Sequence, residues 1–272
     1  MKIRRIKVTT IIAFVVIFMA ILMAFFPSLF ATHDPLEMDM VNKLQGPSAA
    51  HWLGTDEYGR DLWSRIVYGA KTTMSVGFGS AALAALMGIP VGLITGWFGG
   101  ITDNIITRFM DACQAFPSFL LAILIITIME PSAGSLMLTI SIVSFPIFAR
   151  IVRSNVLSLK KREFVEATRA FGAGQLYIMF RTILPNCISA ITVEFSLLTA
   201  TAILSEAGMS FLGLGIQPPE PAWGSMLFYA NQYLNQSIVY MLIPTFTIFL
   251  VVLSVNVFGD ALRDWFDPMK LK

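Results

Sequence analysis

Charge is what this chain has least of. Only 13% of its 272 residues are Asp, Glu, Lys or Arg, about half the share in a soluble globular domain. That deficit excludes an ordinary water-soluble domain. A net charge of +2, with no basic run interleaved with aromatics, gives no stacking groove for nucleic acid. Cysteine is nearly absent: Cys113 and Cys187 lie in or beside apolar segments and imply neither a disulfide framework nor a metal site. No HExxH or GxSxG occurs, so intramembrane proteolysis has no chemistry to stand on. Gly69-Ala70-Lys71-Thr72-Thr73 lacks the adjacent Gly-Lys of a phosphate-binding loop. The chain is therefore expected to bind no cofactor and to catalyse nothing by itself.

Apolar residues fill the space that charge leaves, at 56% of the chain with 22 Phe and 15 Met. A helix needs about 20 apolar residues to cross the hydrocarbon core. Six stretches qualify: residues 8–30, 73–97, 105–129, 135–151, 188–205 and 238–258. Lys2, Arg4, Arg5 and Lys7 precede the first. It is longer than the 7–15-residue core of a signal peptide and no Ala-x-Ala follows, so a retained span is expected. With the N-terminus inside, fifteen of the 19 Lys and Arg residues fall on the cytoplasmic side. Only Lys43, Arg60, Arg65 and Lys71 fall outside, which predicts both termini in the cytoplasm. The expected fold is an all-α membrane protein of six spans. Its parts are a cytoplasmic N-terminus and first span (1–30), an external loop (31–72), a five-helix core (73–258) and a cytoplasmic tail (259–272). Gly88, Gly92 and Gly96, with Gly77, Ala81 and Ala84, make a small-residue face on the second span for close helix approach. Pro90 is expected to kink it.

A different kind of sequence occupies residues 152–186. Phe164, Ala167, Thr168 and Phe171 fall at i, i+3, i+4 and i+7, one face of a helix. Lys161, Arg162, Glu163, Glu166 and Arg169 take much of the rest. Gly172 stands where a glycine ends a helix. A second short helix is expected over 175–182, with Pro185 opening the next span.

Glu166-Ala167-Thr168, Gly172 and Leu184-Pro185 resemble the "EAA" loop of permease subunits of binding-protein-dependent ABC importers. Thr168 replaces the usual second Ala, and Thr182 a common Ile. His51-Trp52-Leu53-Gly54-Thr55-Asp56-Glu57-Tyr58-Gly59-Arg60-Asp61 with Ser64-Arg65 is similar to the "LGTDxxGRDxxSR" segment of the peptide/opine/nickel group of that family. Ser210 to Gly215 with Trp223-Gly224 resembles its "SFLGLG…WG" segment, and Asn256 to Asp264 with Asp267-Pro268 its "NxxGDxLRDxxDP". The resemblance implies a type I importer permease, the C-type partner of a heterodimer. It implies a second, B-type permease subunit, two cytoplasmic ATPase subunits that hold ATP and Mg, and an extracytoplasmic substrate-binding protein. It also implies a coupling helix in which Glu163, Phe164, Glu166, Ala167, Arg169 and Gly172 contact the ATPase or shape that contact. The location implied is the bacterial cytoplasmic (inner) membrane, and the cargo di- or oligopeptides, with nickel or a metal chelate as the alternative.

Outside, Leu62, Trp63, Ile66, Val67 and Ala70 form an apolar face opposite Arg60, Asp61 and Arg65, which predicts a helix lying along the outer surface. It serves either as a docking ledge for a binding protein or as a lid on the bundle. Gly54, Asp56, Arg60, Asp61, Gln217 and Trp223 are the external gate or docking candidates. Trp223 is expected at the membrane interface. The Pro- and Gly-rich stretch 213–224 cannot be a regular helix. His33 and His51 are external and lone, and no metal site is expected of them. Ionisable groups at membrane depth are functional candidates: Asp111 with Gln114, Glu194 and Glu206. Arg108, three residues before Asp111, is its expected ion-pair partner. A gradient-driven carrier would show inverted repeats and an ion channel a filter or pore ring; neither pattern is visible.

Overall fold

A computed structural model describes residues 7–266. The basic residues Lys2, Arg4, Arg5, Lys270 and Lys272 and the Asp267-Pro268 pair lie outside the described residues. Helices α1 (Val8–Phe25), α2 (Pro27–Phe30), α3 (Leu62–Phe98), α4 (Gly100–Gln114), α5 (Ser118–Ile128), α6 (Ala133–Leu159), α7 (Glu163–Ala170), α8 (Gln175–Tyr177), α9 (Leu184–Phe211), α10 (Trp223–Gln232) and α11 (Ile238–Phe266) follow one another. No strand occurs among the described residues, and a π-helical turn, Ile178–Ile183, joins α8 to α9. Because a helix satisfies its backbone groups internally, a helical bundle is one of the two architectures that a bilayer admits.

Five helices are long and apolar enough to cross a membrane, and the count reaches six if the bent pair α4 and α5 is one span. That third span departs from expectation, because its halves meet at 86° around Ala115-Phe116-Pro117. Pro117 caps α5 with an extended ψ of 124°, which stops the preceding helix. Pro90, by contrast, sits inside an unbroken α3.

The second and fifth spans reach well beyond their predicted ends. α3 runs 37 residues, about 55 Å at the α-helical rise, against a hydrocarbon core of about 30 Å. The predicted surface helix is therefore no separate element. It is the outer end of α3, and Arg60, Asp61 and Arg65 are buried in protein instead of facing water. On the opposite side, 175–211 forms one helical rod. Pro185 occupies the first turn of α9, the entry position expected of it, and the π turn Ile178–Ile183 joins that helix to α8 without an intervening loop.

The small-residue face does what its spacing predicts. α3 lies along α6, and a Cβ on Gly88 would meet Phe148 Cβ at 2.8 Å, on Gly92 Val152 Cβ at 2.7 Å, and on Gly96 Val156 Cβ at 2.7 Å. Three glycines in register thus let the two backbones touch, the packing available where lipid removes any hydrophobic drive. One apolar cluster joins α3 and α6 to α7 and the π turn; another joins α1, α3, α9, α10 and α11.

Candidate functional site

The elbow formed by α7 and the turn after it is assembled from local rules. Glu163 and Glu166 sit in the first turn of α7 and Arg169 in its last, each sign matched to the helix dipole. Gly172 adopts φ +82°. Its N–H donates to Arg169 O at 2.9 Å and that of Ala173 to Thr168 O at 3.3 Å, the paired bonds of a Schellman stop. Val165 is the buried residue of α7, packed with the cluster that holds Trp97 and Val156. Phe164, Glu163, Glu166, Ala167, Arg169 and Gly172 are all exposed, and so is Phe171, at 91%. Leu176 and Tyr177 extend the apolar part of this surface.

The elbow is gripped from behind. Lys160 Nζ donates to Trp97 O, and Lys160 Nζ and Arg169 Cζ stand 5.3 and 5.7 Å from the Trp97 ring. Arg153 makes a two-pronged pair with Asp103, at 2.6 and 2.7 Å, tying α6 to α4. Sequence reading missed Trp97 and this ion pair. The pair joins residues 50 positions apart, a separation at which no local pattern operates.

The four membrane-depth candidates do not form one site. Asp111 pairs with Arg150 at 2.8 Å, both half exposed, so the expected partner Arg108 is displaced by a residue of α6. Gln114 is half-buried near the break. Glu206 is fully buried; its Oε1 accepts from Ser210 Oγ at 2.8 Å and its Oε2 has no partner, while the Thr73 hydroxyl accepts the Trp223 N–H at 3.2 Å. The Glu206 carboxyl packs against the start of α10, with Oε1 3.1 Å from where a Gly224 Cβ would stand. Glu194 alone faces a cavity, of about 320 Å³, walled by α5, α6 and α9.

The block of residues 51–65 forms a buried polar knot. Asp56 accepts the Arg60 backbone N–H at 2.9 Å and Arg60 Nε at 2.6 Å, with Arg65 Nε at 3.3 Å. Glu57 accepts Arg60 at 3.2 Å and the Tyr240 hydroxyl at 2.5 Å, linking the loop to α11. Asp61 caps α3, accepting the Ser64 N–H at 2.8 Å, the Ser64 and Thr32 hydroxyls and His51 Nδ1 at 3.0 Å. Burial raises the Asp61 pKa, but the Ser64 N–H, His51 and the two hydroxyls together outweigh it and hold the carboxyl below its usual range.

Three external expectations change as a result. Gly54, Asp56, Arg60 and Asp61 are buried, so they shape the outer face without themselves presenting side chains to a docking protein. Trp223 is also buried in protein and not exposed at the surface: its Nε1 donates to Ile66 O at 2.9 Å, and its ring lies 3.0 Å from where a Gly69 Cβ would stand. His33 and His51 are not lone, since their rings lie 4.8 Å apart beside Asp61. Gln217 stays exposed, donating to Gly213 O and Gly215 O at 3.0 Å. It pins the irregular stretch that leads into α10, a helix that sequence reading did not anticipate.

Comparison with known proteins agrees with this architecture. The chain is 45% identical over 258 residues to the dipeptide transport system permease protein DppC of Alkalihalophilus pseudofirmus, covering 95% of this chain and 85% of that one. It is 43% identical to the glutathione transport system permease protein GsiD of Pectobacterium atrosepticum (84% and 75% covered). Identity is 40% to the di/tripeptide permease DppC of Pseudomonas aeruginosa (92% and 84% covered). Two solved structures of the MetNI methionine ABC transporter in inward-facing conformations share the fold, with TM-scores of 0.61 and 0.64. They are 19% and 18% identical and cover 74% and 76% of this chain, and 95% and 97% of theirs. Residues 88–272 match the family described as "Binding-protein-dependent transport system inner membrane component", and the chain belongs to that family.

Proposed function

We propose that this chain is one membrane half of an ATP-driven peptide importer and works by alternating access. The observation that carries the reading is the elbow: an apolar surface centred on Phe164 and Phe171, rimmed by Glu163, Glu166 and Arg169, locked by Gly172 and backed by Trp97. Exposed apolar surface of this kind marks a protein contact. Here it faces the side on which most Lys and Arg residues fall, taken as cytoplasmic with both termini. An ATPase subunit is its occupant. Two such subunits hold the ATP and Mg, and this chain binds neither. Closure of the ATPases pushes α7, and Trp97 and Val165 pass the displacement to α3, α6 and the rod 175–211. A second permease subunit completes the path. An extracytoplasmic binding protein delivers cargo to the outer face near Gln217, over the scaffold built by Gly54, Asp56, Arg60, Asp61 and Trp223.

Relatives named for dipeptides, di/tripeptides and glutathione support short peptides as the cargo class over nickel or a metal chelate. The test is reconstitution of the full importer in proteoliposomes with its binding protein and labelled Ala-Ala. Uptake should require ATP and both ATPases. Peptide uptake by this chain and its permease partner alone, driven by an ion gradient, would overturn the reading.

A further inference from the structure

Glu194 is the mid-membrane acid that the rest of the fold leaves unexplained. It lies midway along the helical rod 175–211 and is about nine-tenths buried. No hydrogen bond or ion pair links it to another described residue, and it faces the 320 Å³ cavity. A carboxylate in that position loses water and gains nothing in return. The other buried acids each have a side-chain partner: Asp56 has Arg60, Glu57 has Tyr240, Asp61 has Ser64 and His51, and Glu206 holds Ser210 through Oε1 while its Oε2 is left without one.

A second observation points to the same place. Ser118 opens α5 at the 86° break, and it lines the same cavity as Glu194. Irregular backbone at membrane depth is tolerated where it borders protein or a watery path, and broken spans are a recurring way to build sites at the midplane. The remaining polar lining is hydroxyl only, Ser144, Thr201 and Ser205; the rest is Phe119 and aliphatics, with no basic side chain. The Thr201 hydroxyl donates to Leu198 O at 3.1 Å, so its oxygen is left to accept. One anion, several acceptors and an apolar wall complement a small cation with N–H donors. The volume is at the low end of small-molecule sites, which run from about 300 to 1,000 Å³.

We propose that Glu194 is a specificity-determining residue that receives the free α-ammonium group of the peptide in transit, with the hydroxyls of Ser118, Ser144 and Thr201 taking the remaining N–H groups. This rests on the peptide-importer reading above. An ammonium offers three donors, and its bonds to a carboxylate are about twice as strong as neutral ones. The contact is needed only while cargo passes, which is why the resting chain leaves the acid bare.

The experiment uses the complete importer with its binding protein in proteoliposomes and labelled Ala-Ala. Glu194→Gln should lower Ala-Ala uptake about tenfold or more, the cost of losing a charged partner. ATP hydrolysis stimulated by the loaded binding protein should stay within about twofold of wild type, and Glu194→Asp should recover much of the uptake. Equal uptake by wild type and Glu194→Gln overturns the assignment and leaves the peptide reading intact. Wild type that takes up no Ala-Ala, although its ATPase responds to the binding protein, sinks the peptide reading instead. A second measurement needs no variant. Modification of wild-type Glu194 by dicyclohexylcarbodiimide, read by mass spectrometry, should fall several-fold when Ala-Ala-loaded binding protein and ATP are present. Labelling that is unchanged by peptide, or blocked throughout because a basic residue of the second permease covers the acid, also overturns it.

Discussion

Asp61 does two jobs with one carboxylate: it caps α3 through Ser64 and holds Thr32 and His51 against the start of that helix. Asp61→Ala removes a cap worth about 0.5–2 kcal/mol and leaves a buried hydroxyl and an imidazole without their acceptor, at about 1–3 kcal/mol more. The thermal midpoint of the purified protein should drop by several degrees. Because the folded carboxyl titrates below its usual range, its stabilisation is fully present above the ordinary carboxylate pKa of about 4 and is lost as pH falls through the lower folded value. The gap between wild type and Asp61→Ala should hold from pH 7 to about pH 5 and close only in stronger acid. A gap already closed at about pH 6 would mean that the Asp61 carboxylate is not the group whose titration removes the stabilisation. Tyr240→Phe probes the same knot from α11. It strips Glu57 of its 2.5 Å donor and should cost about 1–3 kcal/mol. A double-mutant cycle with Glu57→Gln should show coupling, because the two side chains touch.

Helices here meet through glycine, and glycine is where element-scale changes register. Gly92 leaves room for no Cβ, with Ala149 O at 2.5 Å and Val152 Cβ at 2.7 Å from where one would stand. Gly92→Leu must push α3 off α6, and folded protein recovered from membranes should fall several-fold while Leu placed at the exposed Ile94 position is tolerated. Gly172 is different, since nothing lies within 4 Å of its would-be Cβ and the constraint is φ +82° alone. A side chain in left-handed geometry costs about 1–2 kcal/mol, and Asn accepts it best. Gly172→Val should abolish ATPase stimulation without loss of membrane insertion, and Gly172→Asn should keep most of it. Equal loss in both variants would mean that the glycine serves the ATPase contact rather than the turn. Both glycines were legible in the sequence because their signals are local: a spacing of four, and a position just past a helix. The break at Ala115-Phe116-Pro117 was not legible, since Pro90 carries the same local signal and leaves its helix whole. Asp111 fails the same way, because spacing points to Arg108 and the folded chain supplies Arg150 from 39 residues on.

The molecule as a whole has two unfinished surfaces, the apolar elbow on one side of the membrane and the cavity with a bare acid at its middle. Apolar runs were enough to read the membrane class, and charge asymmetry is the basis for proposing the side on which the elbow lies. They said nothing of which external charges would be buried, since the Asp56–Glu57–Arg60 knot closes on Tyr240, 183 residues from Glu57. The orientation itself is testable at the two ends of this asymmetry. Phe171 is 91% exposed and Gln217 is exposed at the far end of the 175–211 rod, about 55 Å long at the helical rise. In a Cys113→Ser background, with buried Cys187 left in place, a membrane-impermeant maleimide should label Phe171→Cys in inside-out vesicles and Gln217→Cys in intact spheroplasts. Adding the ATPase subunits should slow labelling of Phe171→Cys several-fold and leave Gln217→Cys unchanged, because only the elbow loses its exposed face. Labelling of Phe171→Cys from outside intact cells would invert the topology and remove the surface on which the coupling mechanism depends. Correct sidedness without ATPase protection would leave the orientation standing and send the search for the motor's contact to the other exposed cytoplasmic side chains around Leu176 and Tyr177.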